Sequence, residues 1–121
     1  MTLTSKATNT ILYCAKWAET VAFYRNGLEL PVTFESDWFV EFSLGGSAHL
    51  SIADERRATI KSSGGQGITI TVQVENIEAS WATLHQRGIS LGPIKTHRWG
   101  AKVFYLFDPE GYRLEIWSPM P

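Results

Sequence analysis

The chain has 121 residues, 44% of them hydrophobic and 19% charged, with a formal net charge of −1. This composition supports a packed core and excludes a disordered chain, and without a basic excess it argues against a nucleic-acid binder. No apolar run approaches the roughly 20 residues that span a bilayer, which argues against a membrane protein.

The polar stretch Met1 to Thr10 lacks the apolar core of a secretory signal, and the single cysteine, Cys14, cannot form an internal disulfide. Both point to a cytoplasmic protein in a reducing compartment. Five tryptophans in so short a chain give it a large capacity for burial and ring stacking.

Asn9 to Cys14 is a β-rich run. Trp17, Val21 and Tyr24 recur at helical spacing, which predicts a helix over Trp17 to Asn26, with Gly27 as its stop. Pro31 to Glu35 reads as a short strand. Trp38 to Leu44 alternates apolar Trp38, Val40, Phe42 and Leu44 against Phe39, Glu41 and Ser43, the periodicity of a strand. Gly45-Gly46 turns the chain and Ala48 to Ala53 returns it. Asp54 to Gln66, first charged and then rich in Ser and Gly, reads as a mobile linker.

The pattern then begins again. Gly67 to Val74 alternates Ile68, Ile70, Val72 and Val74 with Thr69, Thr71 and Gln73, as a half-buried strand does. Asn76 is placed to cap a helix over Ile77 to Arg87, with Ile77, Trp81 and Leu84 as its apolar stripe and Gly88 at its end. Ile89 to His97 contains a strand broken by Gly92-Pro93. Lys102 to Phe107 is a strand, Asp108-Pro109-Glu110-Gly111 a turn, and Tyr112 to Ser118 the last strand.

The order β, α, β, β, β thus occurs twice, at a period of roughly 60 residues. The expected fold class is α+β: one domain over residues 1–121, built of two tandem βαβββ modules at about 8–53 and 67–119. Each sheet covers one face with its helix, and the natural use of the other, curled face is a ligand cavity.

The segments Ile11-Leu12-Tyr13, Ala22-Phe23-Tyr24 and Gly27-Leu28-Glu29-Leu30, the pair Trp99-Gly100 and the run Phe107 to Ile116 together resemble the vicinal-oxygen-chelate superfamily of glyoxalases, bleomycin-resistance proteins and extradiol dioxygenases. The resemblance covers about Asn9 to Pro119. Metal-holding members use four side chains, typically His, Glu or Gln, and the matching positions here are Asn9, Ser51, Thr69 and Glu115. Only Glu115 is a strong ligand for a divalent cation, while Ser51 and Thr69 are poor ones. No cofactor is therefore expected; a divalent metal is conceivable only at a displaced site using His49 and Glu115. The resemblance also implies a homodimer, because small members complete their cavities by pairing.

Other groups carry competing readings. Glu115 can serve as a general base, or pair with Arg113 or another cation. Glu41 and His49 can be cross-strand neighbours fit for acid–base work, or an ordinary polar pair. Trp38, Trp99 and Trp117 can stack on a planar ligand, whereas Trp17 and Trp81 read as core. His97 and Arg98 can contact a polar ligand group from a loop. His85, near a helix C-terminus, reads as exposed, and Cys14 as a small buried apolar side chain. No Gly-rich phosphate loop or nucleophile elbow is present.

The sequence therefore points to a metal-independent binder of a small aromatic molecule in the bleomycin-resistance manner, with Trp38, Glu41, His49, Ser51, Thr69, Trp99, Tyr105, Arg113 and Trp117 as candidate ligand-binding residues. The alternative is a glyoxalase-type lyase or isomerase, with Glu115 as the catalytic residue and a weakly held divalent ion.

Overall fold

The computed structural model describes residues 2–121. The chain divides into two compact units, residues 1–64 and 65–121. Each has the predicted βαβββ order and an open, mixed four-stranded sheet.

In the first unit, β1 (Thr8–Cys14), β2 (Val32–Glu35), β3 (Phe39–Gly45) and β4 (Ala48–Asp54) lie in the order β1-β4-β3-β2. β1 runs parallel to β4 and the other pairs are antiparallel. Period-two alternation sends Leu12, Cys14, Val40, Phe42, Leu50 and Ile52 to the face that α1 (Trp17–Ala22) covers, and all six are buried. Tyr24 packs against Phe42 with the rings tilted at 44° and their centroids 6.0 Å apart, and the Trp17 indole donates to the Ile52 carbonyl at 2.9 Å. Each of the larger aliphatic side chains stabilises the fold by about 1.5–3 kcal/mol through its burial.

The first helix is shorter than its apolar spacing predicts. Beyond Ala22 the backbone widens over Phe23–Gly27, where Leu28 N donates to the Phe23 carbonyl, five residues back, at 2.9 Å. The segment read as a linker after β4 is a hydrogen-bonded structure. Its first residues, Glu55–Arg57, form a short 3₁₀ turn capped by Asp54, Glu55 accepts from Ser62 N at 3.0 Å, and Lys61 Nζ donates to the Glu55 and Ala58 carbonyls.

In the second unit, β5 (Thr69–Gln73), β6 (Lys95–His97), β7 (Ala101–Phe107) and β8 (Arg113–Pro119) follow the order β5-β8-β7-β6, again with first and last strands parallel. Asn76 caps α2 (Ile77–Gln86) as expected, its side-chain oxygen accepting from Ala79 N at 3.0 Å. Ile77 of the helix and Phe104, Leu106, Leu114 and Ile116 of the sheet are buried on the helix side. The strand expected over Ile89 to His97 shortens to three residues. Gly92 is drawn onto β7 instead, donating to the Tyr105 carbonyl at 2.9 Å and accepting from the Trp81 indole at 2.9 Å.

The turn before β8 is held by Asp108, whose Oδ1 accepts from the backbone N–H groups of Glu110, Gly111 and Tyr112. Gly65 is pressed against that turn. A Cβ there would lie 2.1 Å from the Gly111 carbonyl carbon and oxygen, and its φ of +88° is itself in the region that favours glycine. None of the helices among the described residues is long and apolar enough to cross a membrane.

Candidate functional site

On the second unit, the sheet face opposite α2 collects the polar and aromatic side chains that alternation predicts. Strand pairing sets their neighbours: Thr69 lies beside Arg113 and Thr71 beside Glu115 in the parallel pair, while Tyr105 and Phe107 lie opposite Glu115 and Arg113 in the antiparallel pair. Glu115 receives two hydroxyl hydrogen bonds, from Thr71 Oγ1 to Oε1 at 2.9 Å and from Tyr105 OH to Oε2 at 3.1 Å. Burial, first, and the bond to the Glu115 carboxylate hold the Tyr105 phenol above its ordinary pKa, against the opposing charge of Arg113.

Arg113 is the expected alternative partner of Glu115, but it is engaged elsewhere. Its Nε donates to Thr69 Oγ1 at 3.0 Å and its guanidinium lies 4.7 Å from the centroid of the Tyr105 ring. The reason is geometric: same-face residues two apart on one strand are separated by about 6.5–7 Å of backbone, farther than directly opposed residues on neighbouring strands.

Farther along the same face Trp117 meets Trp99 edge-on, at 5.7 Å and 62°, and Trp99 in turn faces the His97 ring at 6.0 Å. Trp99 is 61% exposed, which places its indole at the surface rather than in the core. His97 Nε2 is buried without a hydrogen-bond partner among the described residues. Arg98 lies in the exposed turn beyond His97.

On the first unit, the face opposite α1 carries Asn9, Glu41, His49 and Ser51. Ser51 Oγ donates to Asn9 Oδ1 at 2.7 Å, Thr33 Oγ1 donates to Glu41 Oε1 at 2.7 Å, and His49 Nδ1 lies 3.3 Å from the Thr8 carbonyl oxygen. Glu41 and His49 are not directly opposed. The register of the β3–β4 hairpin puts Glu41 across from Ser51 and His49 across from Ser43. Trp38 lies in the bend before β3, its ring 5.5 Å from that of Phe39. Cys14 is fully buried, and His85 is exposed with its ring stacked 4.7 Å from that of Trp81.

The four positions that would hold a metal are committed to other bonds. Asn9 and Ser51 bond to each other, Thr69 accepts from Arg113, and Glu115 accepts from Thr71 and Tyr105. Among the described residues no group of three or more His, Cys, Asp or Glu side chains stands together. As a donor set, one carboxylate with neutral hydroxyl and amide oxygens is a poor match for zinc, nickel or iron.

Sequence reasoning passed over Thr71 as a partner of Glu115, although alternation from Thr69 puts it on the right face. It also passed over Phe107, which is 60% exposed beside Arg113. A cleft of ≈ 380 Å³, lined by Glu75, Glu78, Lys102, Ser118, Pro119, Met120 and Pro121, was not foreseen either. The ion-paired Glu78 and Lys102 are both in its lining, which includes none of the candidate residues.

A family profile of the Glyoxalase/Bleomycin resistance protein/Dioxygenase superfamily matches residues 7–116. Solved structures of the same fold include a glyoxalase/bleomycin resistance protein/dioxygenase from Nocardioides, 20% identical, covering 99% of this chain and 87% of that one with a TM-score of 0.79. A lactoylglutathione lyase from Agrobacterium tumefaciens is 21% identical over 96% of this chain and 95% of its own, with a TM-score of 0.78. TnmS3, an antibiotic binding protein from Streptomyces sp. CB03234, is 16% identical over 98% and 99%, with a TM-score of 0.80. No curated protein matches the chain significantly. With the twice-repeated βαβββ order and a match over nearly its whole length, the chain belongs to the glyoxalase/bleomycin resistance protein/dioxygenase superfamily.

Proposed function

We propose that this protein binds a small aromatic molecule without a metal, in the manner of bleomycin-resistance-like proteins, and acts as a homodimer. The observation that carries the reading is the state of Glu115. Both carboxylate oxygens are already taken by hydroxyl donors of the protein, so the one strong cation ligand is built into a hydrogen-bond network. Next to it, Trp117 and the exposed Trp99 offer ring surface to a flat ligand. The likeness in fold to an antibiotic binding protein is in keeping with this use.

The rival reading is a lyase or isomerase in which Glu115 takes a proton from the substrate with the help of a divalent ion. Tyr105 favours it to the extent that a phenol bonded to the carboxylate can return a proton. One experiment separates the two. The melting temperature is compared in chelator, nickel and zinc, alongside a thermal-shift and tryptophan-fluorescence screen of aromatic natural products. A melting temperature indifferent to metal, with saturable quenching by an aromatic compound, supports the binding reading. Stoichiometric metal that raises it supports the enzyme. Sedimentation velocity tests the homodimer, and a monomer at micromolar concentration would remove that part of the proposal.

A further inference from the structure

We infer that the ligand is an elongated aromatic carboxylate, its anionic end held by Arg113 and its ring end by Trp117 and Trp99. This rests on the aromatic-binding reading above and adds to it the charge and length of the ligand.

The argument starts from what Arg113 does not do. An exposed arginine two residues from a carboxylate on the same sheet face would ordinarily be assigned to that carboxylate. Here Glu115 is taken by Thr71 and Tyr105, and no carboxylate among the described residues pairs with Arg113. The guanidinium is nonetheless held in place, by Nε–H to Thr69 and by the Tyr105 ring beneath it. Its two terminal amines have no protein acceptor among the described residues. That edge of a guanidinium is the one that grips a carboxylate with two parallel hydrogen bonds, and much of the ordering cost has already been met by the protein.

The rest of β8 gives the length. Arg113, Glu115 and Trp117 follow one another on one face, and Trp117 lies four residues, roughly 13 Å of strand, from Arg113. Glu115 sits between them with one lone-pair site still free on each oxygen, able to accept from a hydroxyl or N–H in the middle of the ligand.

The test compares biphenyl-4-carboxylate with its uncharged isostere biphenyl-4-carboxamide by isothermal titration calorimetry. The carboxylate should bind roughly ten- to a hundredfold more tightly to the wild-type protein. Arg113→Gln should shrink that gap to below about threefold by weakening the carboxylate more than the carboxamide, and Arg113→Lys should restore part of it. Thr69→Val, which frees Nε, should weaken the carboxylate more than the carboxamide, and it serves as the second variant if Arg113→Gln folds poorly. Equal affinity for the two compounds, or a gap that survives Arg113→Gln, overturns the anion assignment and leaves aromatic binding standing. If neither compound binds, aromatic binding falls with it.

Discussion

The Tyr105 phenol and the Glu115 carboxylate are directly opposed across β7 and β8 and share a hydrogen bond of 3.1 Å. Because burial and this bond lift the phenol above its ordinary pKa of 10.0, the folded protein keeps the Tyr105 proton to higher pH than the unfolded chain does. The stability from this source is therefore whole below about pH 10 and is lost as pH rises through the folded value. Glu115→Gln removes the charge but not the burial, so Tyr105 should ionise at lower pH than in wild type and still above the ordinary value. Phenolate absorbance, read as the difference from Tyr105→Phe, measures it. An unchanged titration would show that the bond does not form in solution.

Asp54 and Arg56 make the opposite prediction at the acid end. The Asp54 carboxyl, nearly fully buried, accepts from Arg56 at 2.7 Å, and this holds its pKa below the usual carboxylate value. A depressed carboxylate contributes stability above its unfolded pKa of about 3.9 and loses it as pH falls through the folded value. Arg56→Met should therefore be less stable than wild type at pH 7, with the difference narrowing below about pH 4. Added salt should shrink the effect, since Arg56 itself is 81% exposed. Urea denaturation at several pH values reads both trends.

The three backbone donors converging on Asp108 make it a structural carboxylate. Its side chain is nearly buried, and the bonds to Glu110, Gly111 and Tyr112 are 3.0, 3.0 and 2.9 Å. Asp108→Ala should cost about 2–3 kcal/mol in urea denaturation, and Asp108→Asn, which keeps an acceptor, less than half of that.

Gly65 and Gly46 both have positive φ, but only one is crowded. A methyl group at Gly46 meets nothing within 4 Å, whereas at Gly65 it collides with the backbone of Gly111. Gly46→Ala should cost about 1–2 kcal/mol, and Gly65→Ala at least about twice as much, because a backbone atom cannot swing aside as a side chain does. Thermal denaturation of the two variants side by side decides it.

Much of this was legible in the sequence because two signals are strong and local. Period-two alternation correctly sent Leu114 and Ile116 to the helix side and Arg113, Glu115 and Trp117 to the other. Asn76, three residues before Ala79, announced its cap. What escaped depends on register, which alternation does not fix. The tight turn that pairs Gly45 with Ala48 set Glu41 against Ser51 rather than His49, and cross-strand neighbours rather than strand neighbours chose the partners of Glu115. The widened turn at Phe23–Gly27 escaped because its apolar spacing is the same as a helix's.

The parallel pairing of first and last strands in each unit bears on how the chain is made. Thr69 and Thr71 wait for Arg113 and Glu115, 44 residues later, before either bond can close. As the polypeptide leaves the ribosome, the second sheet stays open at its middle until β8 emerges, and the face that carries Arg113, Glu115 and Trp117 is assembled in the same step that joins β5 to β7.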